Sequence, residues 1–273
     1  MTQAVVSVAV LLLLVALAIA LHGQRQRNRR LEAQLQAAEA QLQHLQDACT
    51  RLAPAGVVQR LVSDVGLPGS DASAERKVVT ALFADLVGYT ALSERLEAAV
   101  LARVLNGYFQ RMSDAIHEHR GHVSTFLGDG VLAYFGALQP NPWQCNDAVR
   151  AALAMQAAIR DYNAELEAEG LPPIAVGIGI HRGPGLAGLI GSRERMEYGF
   201  VGRTVNMAAR VQALTRTHQV GILVTDALRE GLDARITLTP MPPERVKGIA
   251  EPVITYAVSE NPTHEDRAAR IIQ

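Results

Sequence analysis

The sequence predicts an α+β fold: a ferredoxin-like βαββαβ unit with a C-terminal extension, preceded by a transmembrane helix and a short coiled coil. Strand-length apolar runs alternate with long helical patterns from residue 76 to residue 258. An uncharged apolar run occupies the N-terminus, and a leucine repeat follows it. The hydrophobic content of 49% over 273 residues allows a sizeable core. The net charge of -1 gives no long-range attraction to nucleic acid, so we expect no such partner.

The N-terminal run from Ala4 to Leu21 contains no charged residue and one polar residue, Ser7, and is long enough to cross a bilayer as a helix. A cleaved signal peptide is the alternative, with "AIA" at 18–20 as its cleavage site. No Lys or Arg precedes the run, whereas four arginines follow it between residues 25 and 30. This asymmetry favours a retained single-pass anchor over residues 1–24 in the inner cell membrane, with a cytoplasmic remainder.

Residues 25–53 predict a two-stranded coiled coil, because apolar residues recur alternately at steps of four and three. The segment is short, so a single solvated helix is the alternative, whereas a coil would hold two copies of the chain side by side. Pro54 ends the helix, and residues 54–75 form a linker before the globular domain at 76–260 and a tail at 261–273. The apolar seam consists of Leu31, Leu35, Ala38, Leu42, Leu45, Cys49 and Leu52.

The globular domain is predicted to have the order β-α-β-β-α-β. A strand at 78–84 precedes a helix at about 91–119, and "HVSTFL" and "VLAYFG" form a hairpin around Gly128-Asp129-Gly130. An alanine-rich helix at about 145–168 ends at Gly170 and a proline pair. The later strands are "IAVGIGIHRG", "RMEYGFVG", "VGILVT" and "VITYAV", and the helix "TVNMAARVQALT" follows the second of them. This order predicts a sheet with helices on one face.

An acidic residue, Asp85, ends the first apolar strand, where a lone buried carboxylate is costly unless something compensates it. Asp129, at the tip of the hairpin, is a candidate partner, because the first strand and the hairpin are adjacent in a ferredoxin-like sheet. Taken singly, Asp85 could be a helix cap and Asp129 an ordinary turn residue. Together, two carboxylates beside a glycine-rich loop suit Mg²⁺, a hard cation commonly shared with substrate phosphates.

Three segments carry a resemblance to a known family: "ALFADLVGYTALSERL", "FLGDGVLAYFG" and "VGRTVNMAARVQAL". In this order and spacing they resemble the signature segments of class III adenylyl/guanylyl cyclase catalytic domains, over about residues 76–258. "VKGIAEPVITYAV" looks like the family's C-terminal strand motif, and "PAGVVQRLV" is similar to the element that couples an anchor or sensor to such domains.

The resemblance implies a metal site and a phosphate loop. Asp85 and Asp129 match the metal-binding aspartates, and the backbone carbonyl of Leu86 matches a further ligand. Two Mg²⁺ (or Mn²⁺) ions are expected per site. The family's triphosphate loop corresponds to Gly88, Tyr89 and Thr90, which lead into a helix N-terminus, a physically suitable place for an anion.

Asn206 and Arg210 resemble the family's pair that orients the ribose and stabilises charge in the transition state. Four residues apart on a helix, they lie on one face. The alternatives are a local cap for Asn206 and a solvated charge for Arg210.

The positions that read the purine depart from the family's usual residues. Adenylyl cyclases commonly have Lys and Asp or Thr there, and guanylyl cyclases Glu and Cys; this chain has Thr125 and Gly199. A triphosphate-binding Lys near the C-terminus corresponds to Ile249, and Lys247 is the candidate replacement.

The resemblance implies a membrane-anchored homodimeric adenylyl cyclase that converts ATP to 3′,5′-cyclic AMP and pyrophosphate, with each site shared between two subunits. The alternatives are a guanylyl cyclase acting on GTP, and a catalytically weak cyclase-like domain that binds a nucleotide or a partner. Two other motifs are not predicted to be sites. The histidines of "HEHRGH" suit a helix C-terminus at the surface, and "GIGIHRGPG" is predicted to be a hairpin because no helix follows it.

Overall fold

The computed structural model describes residues 24, 36, 75–191, 196–246, 248–249 and 251–259. Contacts divide the chain into two compact units, Met1–Val58 and Gln59–Gln273, and every continuous described segment lies in the second unit. The predicted anchor, apart from Gln24, lies outside the described residues, as do the linker up to residue 74, the tail and all of the coil except Gln36. Among the described residues, none of the helices has the length and apolar character needed to span a bilayer.

The strands and helices alternate much as the sequence predicts. The strands are β1 (Glu75–Leu86), β2 (His122–Leu127), β3 (Gly130–Phe135), β4 (Val176–Gly191), β5 (Met196–Val201), β6 (Ile222–Thr225), β7 (Thr237–Pro240) and β8 (Thr255–Ser259). The helices are α1 (Tyr89–Arg95), α2 (Ala98–Glu118), α3 (Gln144–Ala168), α4 (Arg203–His218) and α5 (Asp226–Arg229).

The strands form one mixed sheet in the order β2-β3-β1-β4-β6-β8-β7, with β5 paired to β4. β1 is antiparallel to both of its neighbours, β3 and β4, whereas β4 and β6 are parallel. The part β2-β3-β1-β4, with α2 and α3 as its connections, is the predicted ferredoxin-like unit. The strands β6, β7 and β8 make up the C-terminal extension of the sheet.

The two helices of the ferredoxin-like unit, α2 and α3, lie on one face of the sheet as predicted, whereas the later helix α4 covers the other face. α2 and α3 pack on the side of β4 that carries Ile178 and Ile180, within the main apolar core. α4 packs on the opposite side, where a Cβ at Gly179 would overlap the backbone of Gln212. Alternate residues of a strand point to opposite faces, so neighbouring positions of β4 serve different helices.

The stretch "GIGIHRGPG" is not a hairpin, which corrects our expectation, because β4 continues through it to Gly191. The glycines serve close packing instead: a Cβ at Gly185 would overlap the ring of Phe200. The predicted helix at about 91–119 is also interrupted, since Leu96 and Glu97 are extended between α1 and α2. Leu96 packs against the core there, which accounts for the break.

Candidate active site

Asp85 lies at the end of β1 on the face opposite the main core. Leu82, Ala84 and Leu86 point into that core, so the alternation of the strand turns Asp85 toward the α4 side of the sheet. The Asp85 side chain keeps 24% of its surface exposed. Because the even-numbered residues at the end of β1 are buried in the main core, Asp85 lies on the other face and is partly exposed to solvent.

The hairpin between β2 and β3 brings Asp129 to Asp85. Leu127 pairs with Gly130, so Gly128 and Asp129 form a two-residue turn, and the φ of 65° at Gly128 is the conformation that such turns require of their first residue. A Cβ at Gly130 would lie 3.4 Å from Asp85 Oδ1, which shows how closely the hairpin approaches that carboxylate. The structure therefore places the two predicted metal ligands side by side.

The electrostatics of Asp85 reflect this proximity. Burial, followed by the negative charge of Asp129 and a hydrogen bond with it, raises the pKa of Asp85 to about 6. Arg216 acts in the opposite direction and lowers it. Arg216 offsets only part of the repulsion between the two adjacent carboxylates. A bound cation would make it favourable for both carboxylates to be ionised in this partly buried place.

The ligand chemistry fits a hard divalent cation. The two carboxylates and the Leu86 carbonyl, at the end of β1, are oxygen donors of the kind that Mg²⁺ and Mn²⁺ prefer. Within the described ranges, no three side chains of His, Cys, Asp or Glu gather as a metal site. A cation held here therefore needs water or substrate phosphates to complete its coordination, which is the usual way that proteins hold Mg²⁺.

Arg216 is a site residue that the sequence analysis missed. Its Nη2 atom lies 3.1 Å from Asp85 Oδ2 and 3.1 Å from the carbonyl oxygen of Leu86. The guanidinium thus donates to two of the three groups that the resemblance assigns to the metal. Its position ten residues after Asn206 on α4 carried no local signal, because the contact joins Arg216 to a residue 131 positions away in the chain.

The predicted phosphate loop directly follows β1. Gly88 has a φ of 76° and stands at the N-cap of α1, where no side chain caps the helix. Tyr89 packs against the main core, and Thr90 is exposed. A cavity of about 130 Å³ borders Leu86, Gly88 and the Pro172 segment. The loop thus begins three residues after Asp85, and its left-handed glycine turns the chain from strand into helix.

Asn206 and Arg210 lie on α4, where Asn206 is exposed and Arg210 half-buried. At a rise of about 1.5 Å per residue, Arg210 is about 9 Å and Asn206 about 15 Å along the helix from Arg216. The cation that pairs with Asp85 in the described part of the chain is Arg216. Within the described residues, the α4 side chain that contacts Asp85 is thus that of Arg216.

The side chain of Arg210 packs instead beside the C-terminal loop. Gly248 has a φ of 77°, and a Cβ there would come within 3.2 Å of Arg210 Nη2. This loop also contains Lys247, the predicted phosphate-binding residue, which lies outside the described residues. The structure accordingly places the Arg210 guanidinium next to the segment in which the resemblance expects a phosphate-binding cation.

Comparison with known proteins identifies the domain. Residues 72–260 match the family described as Adenylate and Guanylate cyclase catalytic domain, which is more than half of the chain. The chain belongs to this family. The resemblance drawn from the three signature segments is thereby confirmed, and the chain contains a class III cyclase domain.

Relatives of this cyclase domain include enzymes named for both nucleotides. An adenylate cyclase of Anabaena cylindrica is 32% identical over 205 residues, which cover 73% of this chain and 40% of the relative. Adenylate cyclase 1 of Rhizobium meliloti (strain 1021) is 29% identical over 186 residues, covering 68% of this chain and 28% of the relative. The chain therefore spans well under half the length of these two curated relatives.

Solved structures share the fold of the cyclase domain. The guanylyl cyclase Cya2 has a TM-score of 0.65 at 33% identity, covering 70% of this chain and 98% of that one. The adenylyl cyclase CyaB from P. aeruginosa has a TM-score of 0.66 at 30% identity, covering 69% of this chain and 96% of that one. Both matches support the α+β fold with its mixed sheet.

The two positions that read the base in other cyclases lie on separate strands. Thr125, on β2, is half-buried, and its Oγ1 donates to the Phe126 carbonyl at 3.4 Å. Gly199, on β5, pairs with Gly188, and among the described atoms a Cβ there would meet only the Ile190 side chain, at 3.9 Å. The space beside Gly199 is therefore open. In place of the two side chains that commonly contact the base, this chain has the Thr125 hydroxyl and the Gly199 backbone.

Proposed function

We propose that the chain is a membrane-anchored homodimeric adenylyl cyclase that converts ATP to 3′,5′-cyclic AMP and pyrophosphate. The observation that carries the proposal is the meeting of the Asp85 and Asp129 carboxylates at the end of β1, inside a domain of the cyclase family. Family membership supports the chemistry, and the carboxylate pair supports a site able to hold the divalent cations that this chemistry uses.

The roles of the chain's residues follow from their chemistry. Asp85, Asp129 and the Leu86 carbonyl hold two Mg²⁺ (or Mn²⁺) ions. When bound, these ions lower the pKa of the attacking ribose hydroxyl and neutralise charge on the leaving phosphates. The N–H groups that follow Gly88 bind the triphosphate, and Lys247 adds a cation to it.

The second half of the site comes from α4. Asn206 donates its amide hydrogen bond to the substrate and orients the ribose, so that the 3′-oxygen faces the α-phosphorus. Arg210 neutralises the charge that develops on the α-phosphate as the new bond forms and pyrophosphate leaves. Removing Arg210 therefore lowers the rate of the chemical step more than it weakens substrate binding.

A homodimer with two shared sites supplies these two halves together. In the described part of the chain, α4 turns Arg216 rather than Arg210 to Asp85, which supports a second copy as the source of Asn206 and Arg210. Exposed apolar side chains on β4 and β5, such as Leu186 and Val201, support a protein contact on this side of the domain. In a two-fold dimer each subunit gives one half of each site.

The N-terminal segments are proposed to serve this dimer. The apolar run at 4–21 and the arginines after it support an anchor in the inner membrane with a cytoplasmic catalytic domain. The leucine repeat of residues 25–53 supports a coil that raises the effective concentration of two facing domains.

The identity of the nucleotide substrate leaves a second candidate function. The relatives named adenylate cyclase support ATP, whereas Thr125 and Gly199 lack the side chains that commonly read adenine, and the guanylyl cyclase Cya2 shares the fold. A guanylyl cyclase is therefore the alternative enzyme. A cyclase-like domain with weak turnover is the alternative to both, and the departures at Thr125 and Ile249 favour it.

One assay distinguishes these functions. The full chain in detergent is given ATP or GTP with Mg²⁺ or Mn²⁺, and the cyclic product is identified by chromatography and mass spectrometry. We expect cyclic AMP in excess over cyclic GMP. Cyclic GMP as the main product supports the guanylyl cyclase, and the absence of either product at millimolar metal contradicts an enzyme.

A mixing experiment tests the shared site. Asp85→Ala and Arg210→Ala chains are each inactive alone, because every site in either homodimer lacks one half. A mixture forms heterodimers in which one of the two sites contains all wild-type residues, so activity returns in part. If the mixture stays inactive although cross-linking shows heterodimers, each subunit contains its own complete site.

A further inference from the structure

Among the described residues, Arg216 is the cationic side chain that contacts the carboxylate pair. One nitrogen of its guanidinium, Nη2, donates to both Asp85 Oδ2 and the Leu86 carbonyl oxygen, each at 3.1 Å. Those two oxygens belong to different groups, a side chain and a main-chain carbonyl, that converge only because β1 ends there. The same convergence is what the proposed metal site requires.

The backbone of Arg216 is closely packed, whereas its side chain is half exposed. α4 lies against β4 so closely that a Cβ at Gly177 would overlap Thr215, the residue before Arg216. The Arg216 side chain keeps 52% of its surface exposed, so solvent lies beside the guanidinium. The guanidinium can therefore leave Asp85 for water without any displacement of α4.

We propose that Arg216 competes with the divalent cation for Asp85 and Leu86, so that metal binding requires the guanidinium to leave. A cation at a coordination distance of about 2.1 Å from these oxygens would stand against the Nη2 hydrogens that point at the same lone pairs. Both groups are positively charged, and a partly buried place screens their repulsion poorly. The contact thus holds the site closed to metal at low metal concentration.

This inference rests on the metal site of the proposed function. Its consequence is that Arg216 helps to set the metal concentration at which the site of its own subunit fills. Arg216 stabilises the carboxylates when no metal is bound and raises the metal concentration at which the site fills. The residue acts through the metal ligands and is therefore a positioning residue, so its effect is visible in metal binding without nucleotide.

The test measures Mn²⁺ binding to the full chain in the absence of nucleotide, by electron paramagnetic resonance of free Mn²⁺. We expect Arg216→Gln to lower the dissociation constant for Mn²⁺ at least about fivefold, because the competing donor is gone. It should also lower the melting temperature of the metal-free chain and enlarge the gain in melting temperature on adding Mn²⁺. Equal or weaker Mn²⁺ binding in Arg216→Gln overturns the proposal, as does the absence of Mn²⁺ binding in both chains.

Two further variants separate a specific contact from a general charge effect. Arg229→Gln removes the same charge from an exposed ion pair with Asp226 and should leave Mn²⁺ binding unchanged. Arg216→Lys keeps the charge, but a single ammonium on a shorter chain is a poorer match to the two acceptors, so it should bind Mn²⁺ more tightly than the wild type. If Arg216→Lys equals the wild type, the charge acts only at a distance and the competition is excluded.

The metal site itself is tested in parallel. Asp129→Asn should abolish Mn²⁺ binding if the carboxylate pair holds the metal. Unchanged Mn²⁺ binding in Asp129→Asn contradicts the metal site of the proposed function. Loss of binding in Asp129→Asn, combined with no gain in Arg216→Gln, contradicts the competition alone.

Discussion

The two faces of the sheet are built differently. On the α2 and α3 face, large side chains such as Tyr108, Met112 and Met155 fill the space between helix and strand and are completely buried. On the α4 face, the glycines of β4 let the helix backbone approach the strand directly, as at Gly179, and a smaller apolar cluster that includes Val211 and Leu223 lies beside that contact. The first face is a thick apolar layer, and the second combines a close backbone contact with a smaller apolar cluster.

The two faces have different roles: the apolar face contributes mainly to stability, and the α4 face carries the proposed site residues. The proposed site residues lie on or beside the close-packed face: Asp85 points to that side, and Asn206, Arg210 and Arg216 are carried by α4. A helix held at backbone distance has little freedom to shift, so the side chains it carries are held in register with the strand. The apolar layer stabilises the domain without contributing groups that contact substrate.

The largest effect is expected from removing one carboxylate of the pair. Asp129→Asn leaves the hairpin intact but removes a negative charge from the metal site, so we expect cyclase activity to fall at least about 100-fold with little change in melting temperature. Asp114→Asn, at an exposed acid on α2, is the control and should keep full activity. Comparable losses in both variants would mean that net charge matters rather than this site.

The two faces can be compared directly with a matched pair of core variants on neighbouring residues of β4. Gly179→Ala introduces a Cβ against the backbone of Gln212 and should cost about 3 kcal/mol, while pushing α4 away from the strand. Ile178→Ala leaves a cavity on the other face and should also cost about 3 kcal/mol. We expect only Gly179→Ala to lose activity per folded molecule, as measured by product formation and denaturant unfolding. Equal activity losses would contradict the separation of the two faces.

A smaller effect is expected at the C-terminal loop. Gly248→Ala strains a residue with a φ of 77° and pushes on the Arg210 guanidinium, so we expect kcat to fall about tenfold, with a loss of stability of about 1 kcal/mol. Gly170→Ala is the matched control, since its φ is 71° and a Cβ there meets nothing within 4 Å. It should show the same loss of stability with unchanged kcat.

The smallest effect concerns His122, which is buried on β2 and does not lie at the surface of a helix C-terminus as the sequence predicted. His122 pairs with Tyr134 across β2 and β3, and burial, followed by the charge of His117, lowers its pKa to about 4. The unfolded chain, with an ordinary pKa of about 6.5, binds more protons between pH 4 and 6.5, so the stability contributed by neutral His122 is complete above pH 6.5 and is lost as the pH falls toward 4. His122→Asn should flatten the pH dependence of the unfolding free energy by at most about 1.4 kcal/mol per pH unit, measured by urea titration.

An unchanged slope in His122→Asn would mean that another group titrates in this range.

Local patterns predicted the carboxylate pair correctly as a structural feature. Asp85 was recognisable because it interrupts an apolar strand, and Asp129 because it occupies a tight turn between two apolar strands. Both signals depend on a few neighbouring residues. The topology then followed from the order of the elements, since the first strand and the hairpin are adjacent in a ferredoxin-like sheet.

Three features could not be predicted, because each depends on residues far apart in the chain. The helical pattern from 91 to 119 gave no sign of the break at Leu96, which is extended because it packs against the core. The glycines of "GIGIHRGPG" resemble those of a turn, but they allow α4 and Phe200 to approach β4. The contact of Arg216 with Asp85 spans 131 positions and has no local signature.

The sequence by itself determined most of the elements, the family and the candidate groups for metal and phosphate binding, because these depend on residue type and short spacing. The tertiary structure decided which groups meet. It placed α4 on the face away from the main core and brought Arg216 rather than Arg210 into contact with Asp85. The physical reason is packing: the glycines of β4 fix the position of α4, and that position sets the reach of every side chain the helix carries.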